Sequence, residues 1–379
     1  HAFRIWKELG YTTGLIGKNH CFIQQSDLDT LDVRLELSHG GLSQGDYLGE
    51  DGSLQGMKWV VPPSVITKSH SSRGAMAGGS GAGSFMVSDH DLAGYSSSAI
   101  PTQVESFIER TVAGDTFDGS GAKGEQTRPF AIQVSFPDPH SPNEVPQKYA
   151  DMVPPASINL PPTRPGEFDD PSAPERNRVL YEMLNLDGKS EEEVRNIVGT
   201  YLAMTRFVDD GVGRIIDKVD EMGIRDNTII VFTADHGDFG GEHNMFGKGG
   251  VYYDSLVRVP YIVSWPGGGV PQGAVDDSPV STIDLLPTIL QLSGVADFMD
   301  SPPKESDQYF PPAGPRLLAD IDSNIVTSES LRRIQGKLLP TVTAAPARVA
   351  AFSEYGTGGS AFTMEMLNTL PVKAGSPAI

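Results

Sequence analysis

The segment 231–250, VFTADHGDFGGEHNMFGKGG, concentrates acids, imidazoles and an ammonium among six glycines. Asp235 and His236 form a plausible metal-binding pair, because a carboxylate supplies a hard oxygen and an imidazole supplies a nitrogen. Lys248 lies in the turn GKGG, where its ammonium could face an anion and where glycines let the backbone approach a ligand. The plainer interpretation is that Asp235 caps the turn, His236 packs and Lys248 is a solvated surface lysine.

Two further groups of polar side chains each follow an apolar run. Lys18 and His20 come after GLIG, and in an extended chain they would face the same side, where they could bind an anion and transfer a proton. Asp138 and His140 come after AIQVSF, and neighbouring prolines fix the loop that carries His140. For His140, ligand binding or acid/base chemistry and simple packing in the loop are both open.

The elements around these groups predict an α/β layered fold. TIIVFTA, before Asp235, has no polar alternation, which is typical of a strand buried on both faces in a parallel sheet. The long helix before it opens with a capping box from Ser190 to Glu193, keeps an apolar 3–4 rhythm to Met222 and ends at Gly223. In such folds ligands bind beyond the carboxyl ends of the strands, so we expect the three groups to form one site.

The remaining segments extend this pattern. Residues 40–100 are rich in glycine and serine and are interpreted as loops or an insertion, and residues 150–178 are proline-rich and expected to be extended. The other predicted elements are helices at 1–9, from Pro101 or Thr102 onward and in STIDLLPTILQLSG, and strands in YTTGLIGKNH, at Pro129 to Phe136 and at Val259 to Trp265.

Composition limits the classes of function. The 379 residues suffice for one large α/β domain or two ordinary ones. A net charge of −20 repels nucleic acid and anionic membranes, so an anionic substrate needs a locally positive pocket. The single cysteine, Cys21, allows no intrachain disulfide, and no apolar run reaches the roughly 18 residues of a membrane span. The first residue is His1 rather than Met, so we expect the chain to begin inside a longer protein.

Several other acids and imidazoles receive lesser roles. Asp209 and Asp210 are adjacent in the long helix. Because neighbouring helical side chains diverge, the two carboxylates are not expected to share a metal ion. His243 is interpreted as structural. His39 and His90, in the loop-rich region, could contact a substrate.

Five segments occur in a meaningful order: GYTTGLIGKNH, FAIQVSFPDPHSP, the long helix with its strand and the turns ADHG and FGKGG, RVPYIVSWPG, and IDLLPTILQLSGV. In this order they resemble the sulfatase family of the alkaline phosphatase-like superfamily, from about residue 3 to 295, with a poorly matching stretch at 21–100. The resemblance implies an alkaline phosphatase-like α/β sheet flanked by helices. Residues 1–300 would be the catalytic domain, lacking its first segment and carrying an insertion at about 21–100, and residues 301–379 a linker and partial C-terminal α+β subdomain.

The resemblance also implies roles for the candidate residues. Asp235 and His236 would be two ligands of a divalent cation, usually calcium in sulfatases. Lys18 and Lys248 would bind the sulfate oxygens. His140 would contact the sulfate or protonate the leaving alcohol. Fixed positive charge near the leaving oxygen lowers the barrier to sulfate transfer, and a metal can hold and activate the nucleophile.

The family's nucleophile is a formylglycine, made from the Cys or Ser of a C/S-x-P-x-R segment that precedes the G-K-x-H motif. His20 would serve it as a base and later help to expel sulfate. Cys21 does not lie in such a segment. Ser172-Ala-Pro-Glu-Arg176 matches the letters but comes after the P-H-x-P loop, and because no helix is expected to follow it we interpret it as a chance match. The nucleophile and the Asp pair that completes the metal site are therefore expected upstream of His1, and the fragment alone is expected to be inactive.

Three alternatives stay open at this point. A phosphonate or phosphodiester hydrolase uses a similar frame, and Asp-His ligation would suit manganese or zinc. A non-catalytic binding protein or pseudoenzyme would bind the cation without turnover. A phosphoryl-transfer mutase would need more metal-ligating His and Asp than the chain shows. For a sulfatase, the resemblance implies a sulfated carbohydrate as substrate and a periplasmic or secreted location.

Overall fold

The computed structural model describes residues 2–19, 25–38, 41–42, 53–54, 57–58, 85–88, 92–117, 123–124 and 127–294, with Leu339 and Thr343. The helices are α1 (Ala2–Glu8), α2 (Gln25–Leu28), α3 (Ser96–Val112), α4 (Gln147–Ala150), α5 (Glu175–Leu184), α6 (Glu191–Glu221), α7 (Asp254–Val257) and α8 (Leu285–Leu292). The strands are β1 (Thr12–Gly17), β2 (Val33–Ser38), β3 (Gly41–Leu42), β4 (Ser53–Leu54), β5 (Met57–Lys58), β6 (Phe85–Ser88), β7 (Phe130–Ser135), β8 (Asn143–Pro146), β9 (Ile230–Thr233), β10 (Phe239–Gly240), β11 (Phe246–Gly247) and β12 (Tyr261–Ser264).

The largest sheet of the described residues has the strand order β3-β2-β1-β7. Strand β1 pairs in parallel with β2 and β7, and β3 adds a short antiparallel edge. Every residue of β1 is buried, since helices cover both faces. Ile16 packs with Phe107 of α3 on one face, and Leu15 packs with Leu290 of α8 on the other. The predicted α/β fold is confirmed, and β1 and β7 end side by side.

Helix α6 begins and ends where the sequence predicts. The Ser190 hydroxyl accepts a hydrogen bond from the Glu193 amide at 3.2 Å, and the Glu193 carboxylate accepts one from the Ser190 amide at 2.7 Å. The helix stops before Gly223, whose φ is +67°. Helix α6 crosses α3 closely, because a Cβ on Gly211 would lie only 2.9 Å from the Ser97 carbonyl oxygen. Both helices therefore cover the same face of the sheet.

The prediction that a helix begins at Pro101 or Thr102 is wrong, since α3 begins at Ser96. Serine hydroxyls often compete with the backbone for hydrogen bonds and so disfavour helix. Here the hydroxyls of Ser96 and Ser97 both donate to the carboxylate of Asp138, about forty residues further along the chain. Because the hydroxyls are engaged by this distant acid, they leave the backbone of the first helical turn undisturbed.

Strand β9 has a different partner from the one its sequence predicts. In the ranges that the structure covers, β9 pairs with β12 alone, and the pairing is antiparallel. Phe232 and Ile262 are directly opposite each other and are 38% and 58% exposed. The prediction that β9 is buried on both faces in a parallel sheet is therefore wrong, because its described pairing is antiparallel and Phe232 is partly exposed. A short apolar run alone does not distinguish the two kinds of strand.

The segment between β8 and α6 is less extended than its prolines predict. It contains a 3-10 turn at Pro155–Ser157, and α5 begins at Glu175, directly after Pro174. The expectation that no helix follows Ser172 is thus wrong, because Pro174 already has the φ of −56° that suits a helix start.

The proposed division of the chain stays a prediction. Most of residues 21–100, and residues 295–379 apart from Leu339 and Thr343, lie outside the described residues. The 1–300 boundary, the insertion and the C-terminal subdomain at 301–379 are therefore neither confirmed nor contradicted. Within the described ranges, no helix combines the length and apolar character needed to cross a bilayer.

Candidate active site

The turn after β9 places Asp235 and His236 side by side. The Asp235 Oδ1 atom accepts a hydrogen bond from the His236 amide at 3.1 Å, so Asp235 does cap its turn. Its other oxygen, Oδ2, lies 3.6 Å from His236 Nε2, and the side chain is 70% exposed. The next residue is Gly237, where a Cβ would lie 2.0 Å from the Ser255 carbonyl oxygen. Capping by one carboxylate oxygen leaves the other directed at the imidazole.

The hydrogen bonds of His236 define which ring nitrogen can bind a ligand. Its Nδ1 atom lies 2.8 Å from the Gly237 carbonyl oxygen. Because a carbonyl only accepts, the neutral ring carries its proton on Nδ1 and presents a lone pair at Nε2. That lone pair accepts a hydrogen bond from the Lys248 ammonium at 3.0 Å. His236 therefore directs a nitrogen donor to the same place as the Asp235 carboxylate.

Lys248 reaches this place because the chain folds back as a hairpin. Strands β10 and β11 pair antiparallel, with Phe239 opposite Gly247, so the residue after β11 returns to the turn before β10. Burial lowers the pKa of the Lys248 ammonium, an effect that Asp238 opposes and Lys18 reinforces. Two ammonium groups therefore lie near each other here, beside the carboxylates of Asp235 and Asp238.

Lys18 arrives from the central sheet. Its amide donates to the Ser135 carbonyl oxygen at 2.8 Å, which continues the pairing of β1 with β7 by one residue. Its side chain is 12% exposed, and Nζ lies 4.0 Å from Asp235 Oδ2. Burial alone would raise the pKa of the Asp235 carboxyl, but His236, Lys18 and the His236 amide hold that pKa below its usual value. Asp235 is therefore an anionic oxygen donor at neutral pH.

His140 follows β7 and is half-buried. Its pKa is lowered to about 4, mainly by burial and also by the charges of Lys248 and Lys18, against the raising effect of its bond to the Ser141 carbonyl. The Nδ1 atom lies 2.6 Å from that carbonyl oxygen, so the neutral ring presents the Nε2 lone pair. His140 is accordingly neutral at pH 7.

The structure thus brings together most of the predicted site. Lys18, Asp235, His236 and Lys248 are joined by the distances given above, and His140 follows β7, which ends beside the end of β1 that leads to Lys18. His20 lies outside the described residues, as do Cys21, His39 and His90. Among the described side chains, no group of three or more His, Cys, Asp or Glu residues could hold a metal ion.

Other candidates have structural roles. Asp138 is buried and accepts hydrogen bonds from the hydroxyls of Ser96 and Ser97, so it ties its loop to α3. Arg206 forms ion pairs with both Asp209 and Asp210, and the latter also accepts from the Tyr149 hydroxyl at 3.0 Å.

Sequence reasoning missed the pair formed by Asp238 and Tyr201. The Tyr201 hydroxyl donates to Asp238 Oδ2 at 3.1 Å, and burial raises the pKa of the Asp238 carboxyl while Lys248 and His236 partly oppose that shift. The spacing of Asp238, three residues after Asp235, was a usable signal. Tyr201 offered none, because in the helical rhythm of α6 it counts only as an apolar residue. Burial also raises the pKa of Tyr201.

The fold is the alkaline phosphatase-like α/β fold. The chain belongs to the sulfatase family, because the Sulfatase family model matches residues 3–295. It is 30% identical over 204 residues to the ulvan-active sulfatase of Formosa agariphila, covering 53% of this chain and 33% of that protein. It is 30% identical over 175 residues to the arylsulfatase of Clostridium perfringens, covering 45% of this chain and 35% of that protein.

Solved structures show the same fold. The phosphonate monoester hydrolase of Agrobacterium radiobacter matches with a TM-score of 0.55 and 19% sequence identity, covering 92% of this chain and 62% of that one. At this identity the similarity concerns the fold alone. The chain spans about a third of the length of the curated relatives it matches.

Proposed function

We propose that the protein containing this chain hydrolyses a sulfate ester at the site formed by Lys18, His140 and Lys248 beside Asp235 and His236. The observation that supports this most directly is the convergence of two ammonium groups and a half-buried imidazole in a chain of net charge −20. A pocket of this kind offsets the repulsion that the rest of the surface exerts on an anion.

Asp235 and His236 fit a divalent cation. Ligands about 2.0–2.6 Å from one ion can be 3.6 Å apart, which is the separation of Asp235 Oδ2 and His236 Nε2. We propose calcium as the cation, as in the family. Manganese or zinc would be the cation if the His236 nitrogen contributes more to binding than the Asp235 oxygen. When bound, the ion supplies positive charge and activates the nucleophile. If His236 held the ion through Nε2, the Lys248 ammonium would no longer donate to that nitrogen and could donate to the anion instead.

The remaining side chains can bind the anion and move protons. Lys18 and Lys248 bind the sulfate oxygens as charged donors. His140 takes up a proton as the anion enters and gives it to the leaving alcohol oxygen through Nε2. The family resemblance assigns the nucleophile to a formylglycine and makes His20 its base. We propose a sulfated carbohydrate as substrate and a periplasmic or secreted location. A relative named as an extracellular sulfatase homologue supports that location, at 26% identity over 46% of this chain.

The test compares two ester substrates on the full-length protein. We expect 4-nitrophenyl sulfate to be hydrolysed, EDTA to abolish turnover and calcium to restore it. Lys248→Met should lower kcat/KM for the same ester. Faster turnover of 4-nitrophenyl phenylphosphonate with manganese or zinc would instead show a phosphonate hydrolase. Binding of calcium and inorganic sulfate without turnover of either ester would show a non-catalytic protein.

A further inference from the structure

The hairpin that carries Lys248 is held by α5. We call residues 239–253 the Lys248 hairpin. The guanidinium of Arg176, in the first turn of α5, donates to the Gly250 carbonyl oxygen at 3.1 Å. The Asn177 side-chain amide donates to the Tyr253 hydroxyl at 2.9 Å. Two adjacent residues of α5 therefore bind the chain just after Lys248.

Packing brings α5 against the same segment. A Cβ on Gly249, the residue after Lys248, would lie 2.2 Å from Leu180 Cδ1. A larger residue there requires the buried Leu180 side chain to shift within its packing. The helix, the hairpin and their flanks share one apolar cluster, formed by Phe168, Leu180, Leu184, Phe239, Met245, Val251 and Leu256.

The tip of the hairpin is fixed from outside as well. His243 and Asn244 both have left-handed backbones, with φ of 58° and 56°, a conformation that is unfavourable for residues other than glycine. The Glu167 carboxylate binds His243 Nδ1 at 2.9 Å, and Asp187 Oδ1 accepts from the Asn244 side chain at 2.7 Å. Glu167 precedes α5 and Asp187 follows it.

We propose that α5 and its flanks form a clamp that positions the Lys248 ammonium for the anion, with Arg176 and Glu167 as positioning residues. This inference rests on the proposed function. The clamp holds Gly249 and Gly250 on one side of Lys248 and the strained tip on the other. It also gives a role to Arg176 of Ser172-Ala-Pro-Glu-Arg176, the segment whose letters match the nucleophile pattern.

The test is a double-mutant cycle on the full-length protein with inorganic sulfate as the probe. Arg176→Met removes the donor to Gly250 and should weaken sulfate binding about fivefold in calorimetry. Arg176→Lys keeps one possible donor and should recover part of the loss. Arg178→Met, two positions along the same helix, removes the same charge without that bond and should change nothing. In a Lys248→Met background, Arg176→Met should have no further effect.

Amide hydrogen exchange separates this inference from the proposed function. In Arg176→Met, exchange over residues 245–253 should accelerate, and exchange over β1 should not. If the wild type fails to bind sulfate, the proposed function fails, while the exchange experiment still decides whether the clamp exists. The clamp is refuted if exchange is unchanged. Its link to Lys248 is refuted if a folded Arg176→Met variant binds sulfate normally, or if the loss is equally large without Lys248.

Discussion

Sulfate binding should be coupled to protonation of His140, and the size of the effect follows from the site. In the free protein the pKa of His140 is about 4. A unit negative charge about 4 Å from the imidazolium stabilises it by about 4 kcal/mol at an effective dielectric constant of 20. That energy is about 3 pKa units, so the bound-state pKa becomes about 7. Binding sulfate at pH 7 therefore takes up about half a proton.

The direction of the pH dependence is fixed by this change. His140 has a higher pKa in the sulfate-bound protein than in the free protein. The gain in sulfate affinity is therefore complete below pH 4 and is lost as the pH rises through about 7. Between these limits the affinity should change by up to tenfold per pH unit, or about 50-fold to 100-fold from pH 7 to pH 5. Calorimetry of the metal-free protein measures both the dissociation constant and the proton uptake, the latter by repeating the titration in buffers of different ionisation enthalpy.

The matched control is His140→Gln, which keeps a polar side chain that cannot titrate. Its sulfate affinity should not vary over this pH range. The reasoning is refuted if the wild-type affinity is the same at pH 5 and pH 7. It is also refuted if His140→Gln retains the full dependence, because another group would then be the one that titrates.

Four further outcomes are expected. Asp235→Asn should weaken calcium binding at least tenfold in calorimetry, and unchanged affinity would remove Asp235 from the metal site. Gly249→Ala should lower the free energy of unfolding by about 1–3 kcal/mol, because its Cβ meets Leu180. Gly213→Ala, in α6 with nothing within 4 Å of the added carbon, should raise that free energy by up to about 1 kcal/mol, and a loss would show an unseen contact. Ser190→Ala should lower it by about 1 kcal/mol, measured by chemical denaturation; no change would mean that the capping box is dispensable.

The sequence predicts elements well where the signals are local. Helix α6 is bounded by a capping box at its start and by Gly223 at its end, and both signals lie within a few residues of the boundary. The start of α3 was not predictable, because it depends on a carboxylate about forty residues away. The antiparallel pairing of β9 depends on β12, some thirty residues further on, and an apolar run does not specify its partner.

The same distinction applies to the site. Lys18 and His140 could be predicted as neighbours because β1 and β7 are parallel and end side by side, whereas Asp235 follows β9, whose described pairing is antiparallel. The bond from Tyr201 to Asp238 and the contact of Arg176 with Gly250 could not, since they link elements 37 and 74 residues apart. Local patterns identify the groups that carry the chemistry, whereas the groups that hold them depend on the packing of distant elements.

The Ser135 carbonyl joins the strand that carries Lys18 to the strand that leads to His140. It accepts the Lys18 amide, and a Cβ on Gly17 would lie 1.9 Å from it, so any side chain at position 17 forces the two strands apart. Strand β7 ends at Ser135, and the chain reaches His140 five residues later. In the described residues the Lys248 hairpin belongs to a separate two-stranded ribbon. The proposed site thus draws Lys18 and His140 from the central sheet and Lys248 from a separate ribbon, so the distance between these two supports would set the size of the anion that it admits.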